Sequence, residues 1–358
     1  MRYLGMDVHV QTTVWCLLDS TGAIVEHGKT PTTGPQLTSL VHRLSGDAEL
    51  LVGQEVGSLC HFVHDTVTAA GVKVLSFNAH HLRMIASSRK KTDRRDAYWI
   101  ARALQTGMMP HPVYIPTGEI RELRALLSRR TALVTEHNRW LSRARAYLQA
   151  SGSKTPKTCR SVPRMLHSAV SRSEGLEEPL AQALDLCSHM AENAKLELKR
   201  IEAQIQQRAK SIPAINRLKT IPAVGDRVSV EIYASVGDAS RFRNASQLAS
   251  YAGLVPSVHQ SGASQSMGGI TKEGSPGLRK VLVQAGQVLL FRCRSEQAAP
   301  LKAIAERIHT ARARRKIAVV AAARHILRIA YHVLRDGTEY NPKLLRSAPP
   351  RLEQPTAA

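Results

Sequence analysis

The sequence predicts an α/β domain with a mixed sheet at the N-terminus, long helices through the middle, and a mainly helical C-terminal domain. Three observations carry this. Three closely spaced strand-like runs open the chain and give way to alternating helix and strand. Apolar residues then step by three and four over two long central stretches. Pro and Gly return from about residue 213, ahead of basic, apolar helices.

Residues 2–8 (RYLGMDV) and 12–19 (TTVWCLLD) are rich in Val, Leu, Thr and aromatic residues and read as neighbouring strands. Thr21-Gly22 turns the chain into a third strand at 23–30. A helix is expected over 34–45, an apolar strand at 49–56 (ELLVGQEV), a helix near 60–70, a strand at 73–78 (KVLSFN) and a helix from Thr92 to Thr106. These elements define a first domain expected to span 1–112.

In the middle, Ile120, Leu123, Leu127, Arg130, Val134, His137, Leu141, Ala144 and Leu148 form one seam. Leu184, Cys187, Ala191, Ala194, Leu198, Ile201, Ile205, Arg208 and Ile212 form a second. Such seams suit a coiled coil, within the chain or with another copy. They suit an ordinary amphipathic bundle equally, because polar residues interrupt both. The region is expected over 113–212, with an internal loop at 151–176 rich in Ser, Lys, Arg and Pro. A C-terminal domain over 213–342 and a loose Pro-rich tail at 343–358 complete the chain. Within that domain Ile221-Pro-Ala-Val-Gly225 reads as a helix-hairpin-helix turn or a plain structural turn, with Gly225 as the residue permitting tight geometry. The stretch 261–277 reads as a Gly-rich loop.

Composition bounds the partners. Of 358 residues, 50 are Lys or Arg and 28 are Asp or Glu, a formal net charge of +22. That balance belongs to proteins that meet a polyanion, nucleic acid first among them. No apolar run reaches the eighteen or so residues of a membrane span, and neither terminus carries a basic amphipathic anchor. The opening Met1-Arg-Tyr-Leu-Gly-Met-Asp7 turns acidic too soon for a secretory signal. The five cysteines stand far apart without a CxxC pair, which argues against a zinc ribbon or disulfide scaffold and suits a reducing cytoplasm. The expected setting is bacterial, cytoplasmic and nucleoid-associated, with no membrane partner.

Four carboxylates stand out. Asp7 interrupts an apolar strand, where an unpaired charge is costly to bury. Glu55 ends another strand that is apolar except for Gln54. Asp93 and Asp96, three apart on a helix, share a face. Together they suit one or two Mg²⁺ (or Mn²⁺) ions acting on phosphate. Inside RKKTDRRDA the last two also suit a salt-bridged surface helix. Arg89, Lys90, Lys91, Arg94 and Arg95 surround them as candidate phosphate contacts, and Arg312, Arg314, Arg315 and Lys316 form a second basic face. Residues 292–351 hold fourteen Lys or Arg against four acids. His9 shares the Asp7 face at strand period two and reads as a packing or supporting residue.

MDVH around Asp7, Glu55 in QEVGS, and KTDRRDA resemble the DEDD-type insertion-sequence transposases, whose relatives include the Piv invertases and RNA-guided bridge recombinases. IPAVGDRVS, SQLASYAGLVPSVHQSGAS and GLRKVLVQAG extend the resemblance over most of the chain. It implies a RuvC-like (ribonuclease-H-like) first domain with Asp7, Glu55, Asp93 and Asp96 as metal ligands, a coiled-coil middle, and a C-terminal transposase domain. It further implies that Ser261, first serine of an SG motif, is the nucleophile, with a structured guide RNA as partner. The expected activity is cutting and rejoining of donor and target DNA by a homodimer or dimer of dimers. The competing expectations are a Holliday-junction-type endonuclease using the four acids and water, and a non-catalytic architectural nucleic-acid binder.

Overall fold

The computed structural model describes residues 1–46, 48–78, 92–108, 112–152, 159, 161–165, 178–261, 264–312 and 314–344. By packing, the chain divides into two compact units, Met1–Pro116 and Thr117–Ala358.

In the first unit β1 (Arg2–Val8), β2 (Thr12–Leu18) and β3 (Ile24–Pro31) are followed by α1 (Gly34–Ser45), β4 (Leu50–Glu55), α2 (Cys60–Ala69), β5 (Lys73–Phe77) and α3 (Asp93–Thr106). Each falls within a residue or two of the position read from sequence. The sheet order is β3-β2-β1-β4-β5. The β1/β2 and β2/β3 pairs are antiparallel, and the β1/β4 and β4/β5 pairs are parallel. Period-two alternation divides the sheet between two apolar layers. Leu4, Met6, Trp15, Leu17 and Val52 face α1 and α2, whose Leu37, Val41, Val63 and Val67 complete that core. Val14, Cys16 and Leu18 turn the other way, against Ala97 and Ala101 of α3.

The α3 side is the tighter one. A Cβ on Gly5 would stand 2.1 Å from the Ala97 carbonyl oxygen and 2.5 Å from the Ala101 nitrogen. One on the facing Gly53 would stand 2.7 Å from Leu104 Cδ1 and 2.9 Å from Ile100 Cγ2. Gly5 therefore lets helix backbone rest directly on strand backbone, and Gly53 makes room for the Leu104 and Ile100 side chains.

The second unit begins with two 33-residue helices, α4 (Gly118–Ala150) and α5 (Glu178–Lys210). Their seams are buried on one another and run antiparallel. Leu123 and Leu127 pack with Ile201 and Ile205 at one end, and Leu141, Ala144 and Leu148 pack with Leu184, Cys187 and Ala191 at the other. Arg130 bridges to Glu202 at 2.6 Å, and His137 Nδ1 meets the Ala191 carbonyl at 2.9 Å.

Beyond them come α6 (Pro213–Leu218), α7 (Asp226–Val236), α8 (Ala245–Tyr251), β6 (Pro256–Ser261), β7 (Ser264–Ile270), α9 (Pro276–Phe291), α10 (Ala299–Arg312) and α11 (Arg315–Asp336). The long helices and this segment share a core, because Leu123 and Ile205 pack with Val230 and Ala234 of α7. Arg124 of α4 fastens the junction by donating to the Ala234 and Ser235 carbonyls at 2.6 and 3.0 Å, the free acceptors at the end of α7.

Two sequence expectations are corrected here, and a third is met with one helix that needs comment. The stretch read as a loop from 261 forms much of an antiparallel hairpin, β6–β7, whose short polar strands carry no apolar alternation to announce them. In the α6–α7 turn the left-handed residue is Ala223 (φ 67°), while Gly225 has φ −91° and precedes the first residue of α7. Finally, α11 is long and apolar enough to cross a membrane by length and composition, with mean hydropathy 1.4 over an 18-residue window. Its Ala322, Ala323, Ile326, Leu327 and Tyr331 nevertheless belong to the core of the second unit.

The glycine contact yields a direct test. Gly5→Ala should lower stability by about 1–3 kcal/mol in urea unfolding, since backbone rather than a flexible side chain must move aside. Gly57→Ala, where no atom lies within 4 Å of the added carbon, should stay within about 0.5 kcal/mol of wild type. Equal effects at the two positions would refute the close-approach account.

Candidate functional site

Asp7 and Glu55 stand at the C-terminal ends of two parallel strands. Met6 pairs with Gln54, and the same register carried one residue on sets Asp7 beside Glu55. Alternation puts Asp7 on the face of Gly5, and Glu55 on the face of Gly53. That face is covered by α3, whose first turn carries Asp93 and Asp96. Gln54 turns the other way, fully buried, and donates to the Cys60 carbonyl and Ser76 Oγ, both at 3.0 Å. It thereby fixes the strand end that presents Glu55.

The closest grouping is made by Asp7, Asp93 and His9. His9 Nε2 lies 3.2 Å from Asp7 Oδ2 and 3.7 Å from Asp93 Oδ2. One donor atom from each of the three residues lies within 4.8 Å of the others. Glu55 and Asp96 flank this trio without joining it at that distance. Burial pushes the Asp7 carboxyl above its usual range; His9 opposes this, and repulsion from Asp96 and Asp93 adds to it. A carboxylate desolvated among like charges gains from a cation placed beside it. Oxygen donors from two strands and a helix, at the positive end of α3, form a set that fits a hard divalent ion such as Mg²⁺ or Mn²⁺.

Beside the trio lies a cleft of about 470 Å³ lined by His9, Val10, Gln11, Thr12, Val14, Lys29 and Asp93. Lys29 was not singled out from the sequence. Its signal was register: Asp7 pairs with Val14 and Val14 with Lys29, so one row across three strands ends in an exposed cation. Nothing in the spacing of a single strand shows such a row.

Arg94 and Arg95 are exposed in the first turn of α3, and the Arg94 guanidinium donates to the His27 ring. Arg314, Arg315 and Lys316 are exposed at the start of α11, with Arg315 stacked 4.0 Å over Phe291. Arg89, Lys90 and Lys91 lie outside the described residues, as do the side chains of Arg312 and Ser261. The Ser261 backbone ends β6 and pairs with Ser264, one step from the hairpin tip. The base of that hairpin is held by Arg279, which donates to the Ala252 carbonyl at 3.0 Å and the Glu273 carbonyl at 3.3 Å.

Comparison with known proteins places these features in a family. A family model for the DEDD transposases of IS110 elements, described as Transposase, matches residues 4–152. A second, described as Transposase IS116/IS110/IS902 family, matches residues 215–302. The chain is 27% identical to the transposase for insertion sequence element IS1111A of Coxiella burnetii, over 86% of this chain and 84% of that one. It is 26% identical to a probable family 20 transposase of Pseudomonas aeruginosa, over 74% and 80% of the two chains. Similarity to the pilin gene-inverting protein of Moraxella bovis is 29% over 40% of this chain and 45% of that protein.

The raised pKa of Asp7 sets the sign of a stability test. A carboxyl raised on folding contributes stability that is complete below its unfolded pKa and lost as pH rises through the folded value. At neutral pH without divalent cation, Asp7→Asn should therefore melt above wild type, and the gap should close as pH falls into the carboxylate range. Added Mn²⁺ should raise the Tm of wild type and leave that of Asp7→Asn unchanged. Calorimetry showing the variant less stable at pH 7 would mean that the charge makes a stabilising contact instead.

Proposed function

Since the chain belongs to the DEDD transposase family of IS110-type insertion sequences, we propose that it is a site-specific recombinase that cuts and rejoins donor and target DNA. The observation that carries this reading is the gathering of Asp7 and Asp93 at one sheet end, with Glu55 and Asp96 flanking them. The order β3-β2-β1-β4-β5, three antiparallel strands followed by two parallel ones, supports a RuvC-like, ribonuclease-H-like first domain.

Asp7, Glu55, Asp93 and Asp96 hold Mg²⁺ or Mn²⁺ in this reading. When bound, the cation polarises the oxygens of the scissile phosphate and orients the attacking group. Lys29 offers a charge to the same phosphate from across the cleft. Arg89, Lys90, Lys91, Arg94 and Arg95 follow the backbone near the acids, and Arg312, Arg314, Arg315 and Lys316 grip it elsewhere. The last three stand at the positive end of α11, where cations oppose the helix dipole and a bound phosphate would relieve the repulsion.

Ser261 supplies the nucleophile. Its Oγ bonds to phosphorus as a bond from phosphorus to one sugar oxygen breaks. The hydroxyl gives up its proton and the departing sugar oxygen gains one. One phosphate ester replaces another, so the strand is rejoined without an external energy source. Ser261 and the acids belong to different compact units, and the reading requires both at one phosphate, supplied by one chain or by two copies. The net charge of +22 also suits a structured guide RNA. The apolar seams of α4 and α5 are already used on each other, so assembly as a dimer or dimer of dimers rests on the need to cut several strands. The protein would work where the DNA is, at the nucleoid of a bacterial cytoplasm.

Two variants separate this reading from a hydrolytic junction nuclease. Asp93→Asn should bind DNA normally and lose strand cleavage in Mg²⁺. Ser261→Ala should bind nucleic acid yet form no covalent protein–DNA adduct and no recombinant, while Ser264→Ala and Ser266→Ala keep much of the activity. Labelled DNA, denatured after incubation, should leave label on a peptide containing residue 261. Efficient rejoining by Ser261→Ala would move the reading to the nuclease. Recombination at full rate after ribonuclease treatment, with no RNA left, would exclude the guide.

A further inference from the structure

We propose that His9 is a direct ligand of the cation, making the centre a mixed nitrogen–oxygen site that prefers Mn²⁺ to Mg²⁺. The inference rests on the reading that the acids hold a divalent ion, and it adds the residue that sets which ion they prefer.

The backbone at His9 is fixed from two sides. Its amide donates to the Thr12 carbonyl at 3.3 Å, and its carbonyl accepts from Thr32 Oγ1 at 2.8 Å. Thr32 is itself held by Thr13, the two hydroxyls 2.8 Å apart, and by its amide to the Gln11 carbonyl at 3.0 Å. The turn between β1 and β2 is thus pinned to the end of β3, and the imidazole is carried to a set place on the Asp7 face.

The spacing of the donor atoms is that of ligands around one point. Two neighbouring donors about 2.1 Å from an octahedral ion stand roughly 3 Å apart. Nε2 of His9 lies 3.2 Å from one carboxylate oxygen and 3.7 Å from the other. A hydrogen bond accounts for the shorter distance only, because one ring N–H serves one acceptor and 3.7 Å is too long for a second. The ring is also 52% exposed, so water is at hand to solvate it and burial does not force it between two carboxylates. His9 and Asp93 both line the cleft, so an ion held between them would face the space open to a phosphate.

An imidazole changes the selectivity of an otherwise all-oxygen site. Mg²⁺ demands oxygen ligands and gains little from nitrogen, whereas first-row transition ions bind imidazole more strongly. The ligand class is therefore a divalent transition ion, with Mn²⁺ as the probe.

The test is pulsed electron paramagnetic resonance on full-length protein loaded with Mn²⁺. Wild type should show ¹⁴N modulation from one imidazole, replaced by the ¹⁵N pattern when histidine is isotopically labelled. His9→Gln should lose that modulation and bind Mn²⁺ at least roughly tenfold more weakly, with Mg²⁺ affinity by competition little changed. A circular dichroism melt without metal checks that the variant folds, and the labelled wild type gives a result that needs no variant. Mn²⁺ bound in a manner that depends on Asp7 and Asp93 but without nitrogen modulation would overturn the ligand role of His9 alone. Mn²⁺ binding unaffected by both Asp7→Asn and Asp93→Asn would overturn the acid site and this inference together.

Discussion

The contact on which the site depends is the rest of α3 on the bare backbone of Gly5, with Leu104 and Ile100 of the same helix closing over Gly53. A side chain at Gly5 would lift the helix, and with it the first turn that carries Asp93 and Asp96, while one at Gly53 would press on the Leu104 and Ile100 side chains. Two residues further along the same strands stand Asp7 and Glu55. The glycines and the acids are thus one device, in which the former set the depth of the helix and the latter use it. Glycine inside a strand forfeits side-chain packing and raises the entropy cost of folding. Here that cost is offset by Ala97, Ile100, Ala101 and Leu104, which close over the gap.

The acids sit against the grain of the molecule. A chain with a formal charge of +22 keeps a knot of negative charge at one sheet end, where burial and the neighbouring carboxylates hold Asp7 partly towards its neutral form. An ion-free site of this kind is a local loss of stability, and such losses concentrate where function requires them. Arg94 turns its guanidinium to His27 on β3, and Lys29 reaches the cleft from the end of a three-strand row. Under the recombinase reading, cations placed beside the site serve the phosphate while the acids serve the metal.

The first unit was legible because each of its elements advertises itself locally. Runs rich in Val, Leu, Thr and aromatic residues mark β1, β2 and β4, and Asp7 is conspicuous as a charge in an apolar run. What the sequence hid were relations between elements. The value of His9 lies in where its ring stands relative to Asp93, which depends on Thr32 pinning a turn twenty-odd residues away in the chain. Lys29 matters through a register that no single-strand pattern encodes. In the second unit, β6 and β7 escaped notice because they are short and mostly polar in sequence, and β7 carries the Gly268-Gly269 pair near its end. The α6–α7 turn put its left-handed geometry on Ala223, held between the buried Ile221 and Val224, and not on the glycine that composition favoured.

Under the recombinase reading, the division of parts between two units has a consequence of its own. A centre that held both the metal and the nucleophile on one rigid element would be competent whenever folded, and would nick whatever DNA it met. Here the acids are preorganised by the sheet and α3 in the first unit, and the hairpin carrying Ser261 is anchored through Arg279 to α9 in the second. Under that reading, reaction geometry is set only when the metal and the nucleophile act on one phosphate. Nucleic acid that grips the basic residues of both units is the one ligand present at every productive encounter. Binding energy from phosphates remote from the cut would then be spent on assembling the centre, and cleavage would follow recognition instead of preceding it.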